Sequence, residues 1–334
     1  MINKAQLDRA GVALTSSNIS SDEYEAALSL VNDWRSLHKK PLNTFQIGLK
    51  KKAAEIDARY IPAQRLKKMK SIKEKLLRFS DMKLSRMQDI GGCRIVLSNV
   101  GQVYDLRDAY CKSRIKHTLT NEKDYIAQPK EDGYRSLHLV FRYASKTPEL
   151  NGLKVEVQLR TRLQHIWATA VETASLLSDT PLKAGVGKKD WLRFFALASS
   201  CFALQEKCAP VPNTPERMDE IRRELKALDK KNDFLIQFEV LNAFYAYADS
   251  MNLFKMYYYL LYINQQERRF RATGYSKSQY EQAYRDYITH EKAENGVDNV
   301  VLVATNSFDS LRSAYPNYFA DMKDFISAMR NILD

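Results

Sequence analysis

The sequence predicts an α+β fold: a mixed β-sheet core flanked by helices, followed by a second, smaller α/β group. Three observations carry this expectation. Between residues 71 and 177 the periodic segments run helix, strand, helix, strand, strand, helix, an order that packs helices on a sheet of mixed direction. The proline-rich run Ala209-Pro210-Val211-Pro212-Asn213-Thr214-Pro215 then separates this region from a tail of different texture, with 12 of the 19 tyrosines lying beyond residue 244. Finally, 334 residues with 45% hydrophobic and 28% charged side chains can bury a proper core and exceed what one core usually holds.

Taken in order, Ser21-Asp22-Glu23 reads as a helix start, and Tyr24, Leu28, Val31 and Leu37 recur near helical spacing up to Lys39. Pro41-Leu42-Asn43-Thr44 punctuates, and a second helix is predicted from about residue 44 to 59. Residues 71–79 and 103–111 have helical spacing, and 92–97 reads as a buried strand bounded by Gly91-Gly92 and Ser98-Asn99. Residues 136–143 and 155–159 alternate like paired strands, and 162–177 is a helix leaving the second. After the connector a charged helix runs from about 215 to 234, extending toward 248, with Ile221, Leu225 and Leu228 as its inner stripe. Strands are predicted at 257–263 and 299–304, and helices at 276–288 and at 307–333 around Pro316. The expected divisions are N-terminal helices (1–60), the sheet core (61–208), connector and helix (209–250) and a C-terminal region (251–334).

The formal net charge of +12 points to an anionic partner, because fixed positive charge raises local anion concentration. From residue 50 to 75, ten Lys or Arg stand against three acids, and Lys50, Lys51 and Lys52 open this stretch. A solvated helix face is the plain alternative to anion binding. Cys93, Cys111, Cys201 and Cys208 lack paired spacing and read as reduced and structural. The opening residues 1–13 hold no apolar core and no run of 18 apolar residues occurs, so a cytoplasmic protein is expected.

Chemistry concentrates in three motifs: Asp89-Ile90-Gly91-Gly92-Cys93-Arg94-Ile95-Val96, the stretch from Lys123-Asp124-Tyr125-Ile126 through Gly133-Tyr134-Arg135-Ser136-Leu137-His138, and Glu156-Val157-Gln158-Leu159-Arg160-Thr161. Asp89 precedes its strand, where a carboxylate can face a cleft. Alternation puts Glu156, Gln158 and Arg160 on one strand face and Val155, Val157 and Leu159 on the other. Such a charged face suits either a site or a solvent-facing strand edge. Arg65, Arg94 and Lys75 supply cations, Tyr134 follows a glycine that frees the backbone, and Lys123 and Lys130 flank the loop. His138 either bonds a ligand phosphate or fills the strand. His165 and Glu172 share a helix face.

In this order the motifs resemble the synthetase domain of the RelA/SpoT family, enzymes that move a pyrophosphate from ATP to a 3′-hydroxyl. The resemblance covers residues 60 to 175, about a third of the chain. It implies a nucleotidyltransferase-like pyrophosphokinase core that uses Mg²⁺ and ATP. Asp89 and Glu156 would hold the metal, and Glu156 would activate the acceptor hydroxyl with Gln158 beside it. By the same resemblance Arg65 and Arg94 clamp adenine, Lys75 meets phosphate, Lys123 and Lys130 hold the acceptor's phosphates, and Tyr134 stacks on its base. His165 and Glu172 back the site or act directly. Gly92 stands where many members have alanine, and Leu159 where isoleucine is common. No His-Asp pair like that of the family's hydrolase domain precedes the motifs, so synthesis without removal is expected.

Residues 250 to 334 resemble the C-terminal region of fused toxin–antitoxin members, the CapRel type, in which a zinc-finger-like fold has lost its metal ligands. After Cys208 there is no cysteine and only His290. Tyr315-Pro316-Asn317-Tyr318 is a Tyr-x-x-Tyr element that in such proteins plugs the nucleotide site; a core or turn role is the alternative. The resemblance makes a phage protein, such as a capsid protein, the trigger. Two acceptors remain open. The first is the 3′-terminal adenosine of tRNA, motivated by Lys50 to Lys75 and halting translation as a self-restrained toxin. The second is GDP or GTP, giving the alarmone (p)ppGpp. A catalytically idle sensor module is the third class.

Overall fold

Caps, alternation and buried stripes place the elements of the computed structural model, which describes residues 2–113, 115–177, 189–250, 256–264, 269–292, 298–304 and 318–334. The chain divides into two units that do not follow sequence order: residues 1–126 with 136–162, and residues 127–135 with 163–334.

The first unit holds helices α1 (Lys4–Ala13), α2 (Ser21–Leu37), α3 (Lys39–Ile56), α4 (Met69–Arg78) and α5 (Val100–Cys111). Its strands are β1 (Ile61–Leu66), β2 (Gly91–Leu97), β3 (Thr118–Asp124), β4 (Leu137–Arg142) and β5 (Lys154–Thr161). They form one sheet in the order β1-β2-β5-β4-β3, in which only β2 and β5 run parallel. The mixed sheet expected from the sequence is therefore present. Val155, Val157 and Leu159 on β5, with Leu137 and Leu139 on β4, are fully buried together with Phe45 and Leu49 of α3. Phe45 lies 5.3 Å from the ring of Phe141, and the Cys93 thiol donates to the Leu42 carbonyl. One face of the sheet is thus an apolar bed for α3.

Several elements differ from the reading of the sequence. The second helix begins at Lys39 and not at Thr44, because Pro41 sits in its first turn, where no intrahelical N–H bond is lost. Helix α1 was not anticipated. It starts with a reciprocal cap in which Asn3 accepts from Gln6 N–H at 2.9 Å and the Gln6 side chain accepts from Asn3 N–H. Leu7, Ala10 and Leu14 seat it against Val31, Trp34, Ile72 and Leu84. Strands β1 and β3 are the sheet edges, where alternation is weak and Pro62 is tolerated. Lys123 and Asp124, expected in a loop, end β3, which carries a bulge between Leu119 and Asn121.

The second unit is built on α6 (Arg162–Leu177), α7 (Lys189–Gln205), α8 (Met218–Asn232), α9 (Phe234–Ser250) and α11 (Tyr318–Leu333), with β6 (Tyr258–Asn264), β7 (Arg269–Tyr275), α10 (Tyr280–Lys292) and β8 (Asp298–Ala304). Its core gathers Trp191, Phe194, Phe195 and Phe202 of α7 with Phe234, Phe238 and Phe325. Trp191 and Phe234 rings are 4.0 Å apart. Helix α7 is apolar nearly all round, so it lacks the one-sided stripe by which a surface helix is read. The single charged helix expected from residue 215 is two, broken where Asp233 adopts a left-handed conformation at φ 54°. Strands β6, β7 and β8 form an antiparallel sheet in the order β7-β6-β8; of these β7 was missed. The helix predicted at 276–288 opens with a 3₁₀ turn at 277–279 before α10. Of the helical stretch predicted at 307–333, the part before Tyr318 lies outside the described residues. Among the described residues no helix is long and apolar enough to cross a membrane.

Gly133, in the segment 127–135, has φ +91°. A Cβ built there would stand 2.9 Å from Trp167 Cζ2, 3.0 Å from Ser199 Cβ and 3.1 Å from the Phe195 carbonyl. The Ser199 hydroxyl donates to the Gly133 carbonyl at 2.6 Å. Only glycine fits both the torsion and the space.

Candidate active site

Pairing register assembles the site from residues far apart in sequence. In one row across the sheet, Ala63, Arg94, Gln158, His138 and Lys123 are successive partners; in the next, Arg65, Gly92, Glu156, Val140 and Asn121. Partners in register share a face, so Arg65, Arg94, Glu156, Gln158, His138 and Lys123 lie together on the face opposite the apolar bed. The glycine in the second row keeps this face open: a Cβ at Gly92 would come no closer than 4.0 Å to the Arg65 and Glu156 carbonyls. An alanine there fits.

Glu156 is held by a chain of side chains. His138 Nδ1 lies 3.0 Å from Oε1, and Gln158 Nε2 donates to Oε2 at 2.7 Å. The buried Arg160 guanidinium in turn donates to Gln158 Oε1 at 3.1 Å, which turns the Gln158 amide so that its NH₂ faces Glu156. Burial pushes the Glu156 pKa up and so does the Asp89 charge. The hydrogen bond and charge of His138, with the Gln158 donor, outweigh both and hold it below the usual glutamate value. Glu156 is an oriented, ionised carboxylate at neutral pH. Tyr125 meets the His138 ring edge-on at 5.3 Å.

Asp89 sits just before β2 and is gripped by two lysines: Lys67 Nζ at 2.8 Å from Oδ2 and Lys75 Nζ at 3.0 Å from Oδ1. Burial raises its pKa, but the two ammonium groups pull it down to about 2. Because the folded value lies below the ordinary 3.8, the interaction stabilises the protein fully above that value and is lost as pH falls toward 2. The shift corresponds to about 2 kcal/mol. Asp89→Asn is therefore expected to lower urea-unfolding stability by about that amount at pH 7, and wild type and variant should converge near pH 2. A constant gap across that range would contradict the assignment.

The other expected site residues are distributed as follows. Arg65 and Lys123 are exposed and Arg94 is buried in the first unit. Lys130 and Tyr134 belong to the second, where Lys130 Nζ stands 5.1 Å over the Tyr134 ring and the half-buried ring packs on the aromatic core. Gly133, read as freeing an exposed ring, is instead fixed by close packing. His165 is buried and Glu172 half-buried on α6. Lys50 and Lys51 are exposed on α3, whereas Lys52 pairs with Glu55 at 3.1 Å. Tyr315 lies outside the described residues and Tyr318 opens α11. Two residues escaped the sequence reading as site members: Lys67, two positions after Arg65, and Arg160, two after Gln158. The every-second-residue rhythm that marks Arg65 and Gln158 extends to both. Among the described residues no three His, Cys, Asp or Glu side chains cluster as a metal cage.

Comparison with known proteins follows this geometry. Residues 64–177 match the family described as "Region found in RelA / SpoT proteins". GTP pyrophosphokinase YjbM of Bacillus subtilis (strain 168) is 39% identical over 110 residues, covering 31% of this chain and 51% of that protein. GTP pyrophosphokinase YwaC of the same strain is 34% identical over 112 residues, covering 31% and 52%. The chain thus spans about half the length of these curated relatives. Among solved structures, the small alarmone synthetase 1 from Bacillus subtilis is similar at 26% identity and TM-score 0.45, covering 62% of this chain and 100% of that one.

Proposed function

Residues 64–177 carry the region found in RelA/SpoT proteins, and from that premise we propose that this chain is a pyrophosphokinase transferring the β,γ-pyrophosphoryl group of ATP to the 3′-hydroxyl of GDP or GTP. The observation that carries the reading is an oriented ionised Glu156 on the polar sheet face, within reach of the charge of Asp89 just before β2, with Arg65 and Arg94 on that face and Lys67 and Lys75 on Asp89. The guanine acceptor, the second of the two that the motifs left open, is favoured by the relatives, both named as GTP pyrophosphokinases.

In the reaction the acceptor's 3′-oxygen attacks the β-phosphorus, a new O–P bond forms, the bond between the β-phosphorus and the α,β-bridging oxygen breaks, and AMP leaves. Glu156 takes the hydroxyl proton, for which its fixed, ionised carboxylate is suited. Two hard carboxylate oxygens fit Mg²⁺, and Asp89 and Glu156 would hold it. When bound, the ion neutralises charge on the phosphate oxygens. Arg65 and Arg94 stack on and pair with adenine, Lys75 meets the ATP phosphates, and Lys123 and His138 hold the acceptor's phosphates.

One observation favours the second reading, pyrophosphorylation of the tRNA 3′ end: the exposed Lys50 and Lys51 on α3, a surface suited to phosphate backbone. On that reading residues 251–334 form a metal-free, zinc-finger-like regulatory unit relieved by a phage protein. The deciding experiment offers γ-³²P-ATP with GDP or GTP in one reaction and deacylated tRNA in another. Label on guanine nucleotide is expected. Label confined to tRNA would transfer the conclusion to the toxin reading, and label in neither would refute both.

A further inference from the structure

We propose that Lys67 and Lys75 are placeholder cations: in the nucleotide-free protein they occupy Asp89, and the triphosphate draws them off, so that divalent cation and nucleotide enter the site only together. The inference rests on Asp89 as a metal ligand, the reading given above.

Each Asp89 oxygen has its own ammonium, Lys67 on Oδ2 and Lys75 on Oδ1, at 2.8 and 3.0 Å. A single partner would satisfy a structural carboxylate. Two positive charges on one carboxylate leave no net attraction for a third cation, and the three side chains are only 16%, 28% and 21% exposed, so water screens the repulsion poorly. Arg65, from the strand that leads into Lys67, adds to the positive field. An incoming divalent ion therefore meets an occupied ligand in a repulsive surround.

The tethers show which parts move. Lys67 has its backbone pinned on both sides: its N–H donates to the Ile90 carbonyl at 2.8 Å, and its carbonyl accepts from Arg35 Nε at 2.9 Å. Lys75 rides on α4, which the buried Ile72 and Leu76 anchor. Both backbones are held, while both ammonium groups sit at the ends of four-carbon stems. A lysine suits this use better than an arginine, because it is a point charge that can change partner without breaking a planar, two-pronged contact. A triphosphate offers several anionic oxygens against the two of one carboxylate. The lysines follow the larger charge, and the freed Asp89 oxygens then face a cation that arrives bound to the same phosphates. Thermodynamic linkage makes the effect mutual: nucleotide strengthens metal binding by the factor by which metal strengthens nucleotide binding.

The test uses Mn²⁺ alone as probe, followed by electron paramagnetic resonance on the full chain without nucleotide. Lys67→Met with Lys75→Met, which keeps the stems and removes the charges, is expected to bind Mn²⁺ at least about tenfold tighter than wild type. Adding a non-hydrolysable ATP analogue should close that gap. Lys67→Gln alone, read the same way, covers the case in which the double variant fails to melt cooperatively. Equal or weaker Mn²⁺ binding by these variants overturns the proposal. Asp89→Asn with the analogue reports separately on the premise: if Mn²⁺ binding there matches wild type, Asp89 is not a ligand, whatever the lysine variants do.

Discussion

Glu156→Gln is expected to slow pyrophosphoryl transfer by about 10³-fold while leaving the protein folded. The amide keeps the shape of the carboxylate and can still accept from His138 or from the Gln158 amide, so the sheet face loses no volume and only one bond needs to turn. It cannot take a proton from the acceptor hydroxyl. It also removes a charge that His138 and Gln158 hold ionised against burial and the Asp89 charge, so melting temperature at neutral pH should fall slightly while the protein stays folded. Thin-layer separation of labelled product, together with a thermal melt, measures both halves. Wild-type turnover in a folded Glu156→Gln protein would remove Glu156 from the chemistry.

Gly133→Ala should cost about 3 kcal/mol, the sum of a left-handed torsion forced on an L side chain and a methyl group driven into a packed wall. That wall is Trp167, Ser199 and the Phe195 carbonyl, all within 3.1 Å of the added carbon. None is the loose end of a flexible chain: Trp167 Nε1 is itself bonded to the Phe195 carbonyl at 2.9 Å, and Ser199 to the Gly133 carbonyl. Urea unfolding reads the effect, with the transition midpoint moving and its slope unchanged. A loss under about 1 kcal/mol would mean that the turn relaxes into another conformation.

What the sequence made legible follows its periodicities. β2, β4, β5, α5 and α6 could be read because each has one buried face or a continuous buried run with clear punctuation. The same alternation exposed Glu156, Gln158 and Arg160 as one polar face. The edge strands β1 and β3 were invisible because an edge need not alternate, and α7 because a helix buried on every side has no polar face to set its phase. Within the site, the missing information was pairing at a distance. Lys67 meets Asp89 across 22 positions, a partner that its alternation with Arg65 does not reveal. Likewise Arg160 could be seen to share a face with Glu156, but its role in turning the Gln158 amide needed coordinates.

The position of β5 has a consequence for how the protein is born. It is the last strand of its sheet to be translated, yet it lies at the centre, parallel to β2 on one side and antiparallel to β4 on the other. A nascent chain that has reached residue 153 can join β3 to β4 and β1 to β2, but these are two separate ribbons with nothing between them. The strand that welds them also brings Glu156. Long-range parallel pairing of this kind is slow to form, and a ribosome adds only about 5–20 residues each second. Until then the apolar faces of both ribbons stand open to chaperones or to aggregation, and the polar face of the sheet is incomplete. Asp89, just before β2, and Glu156, on β5, are in this way brought together only by the step that closes the sheet.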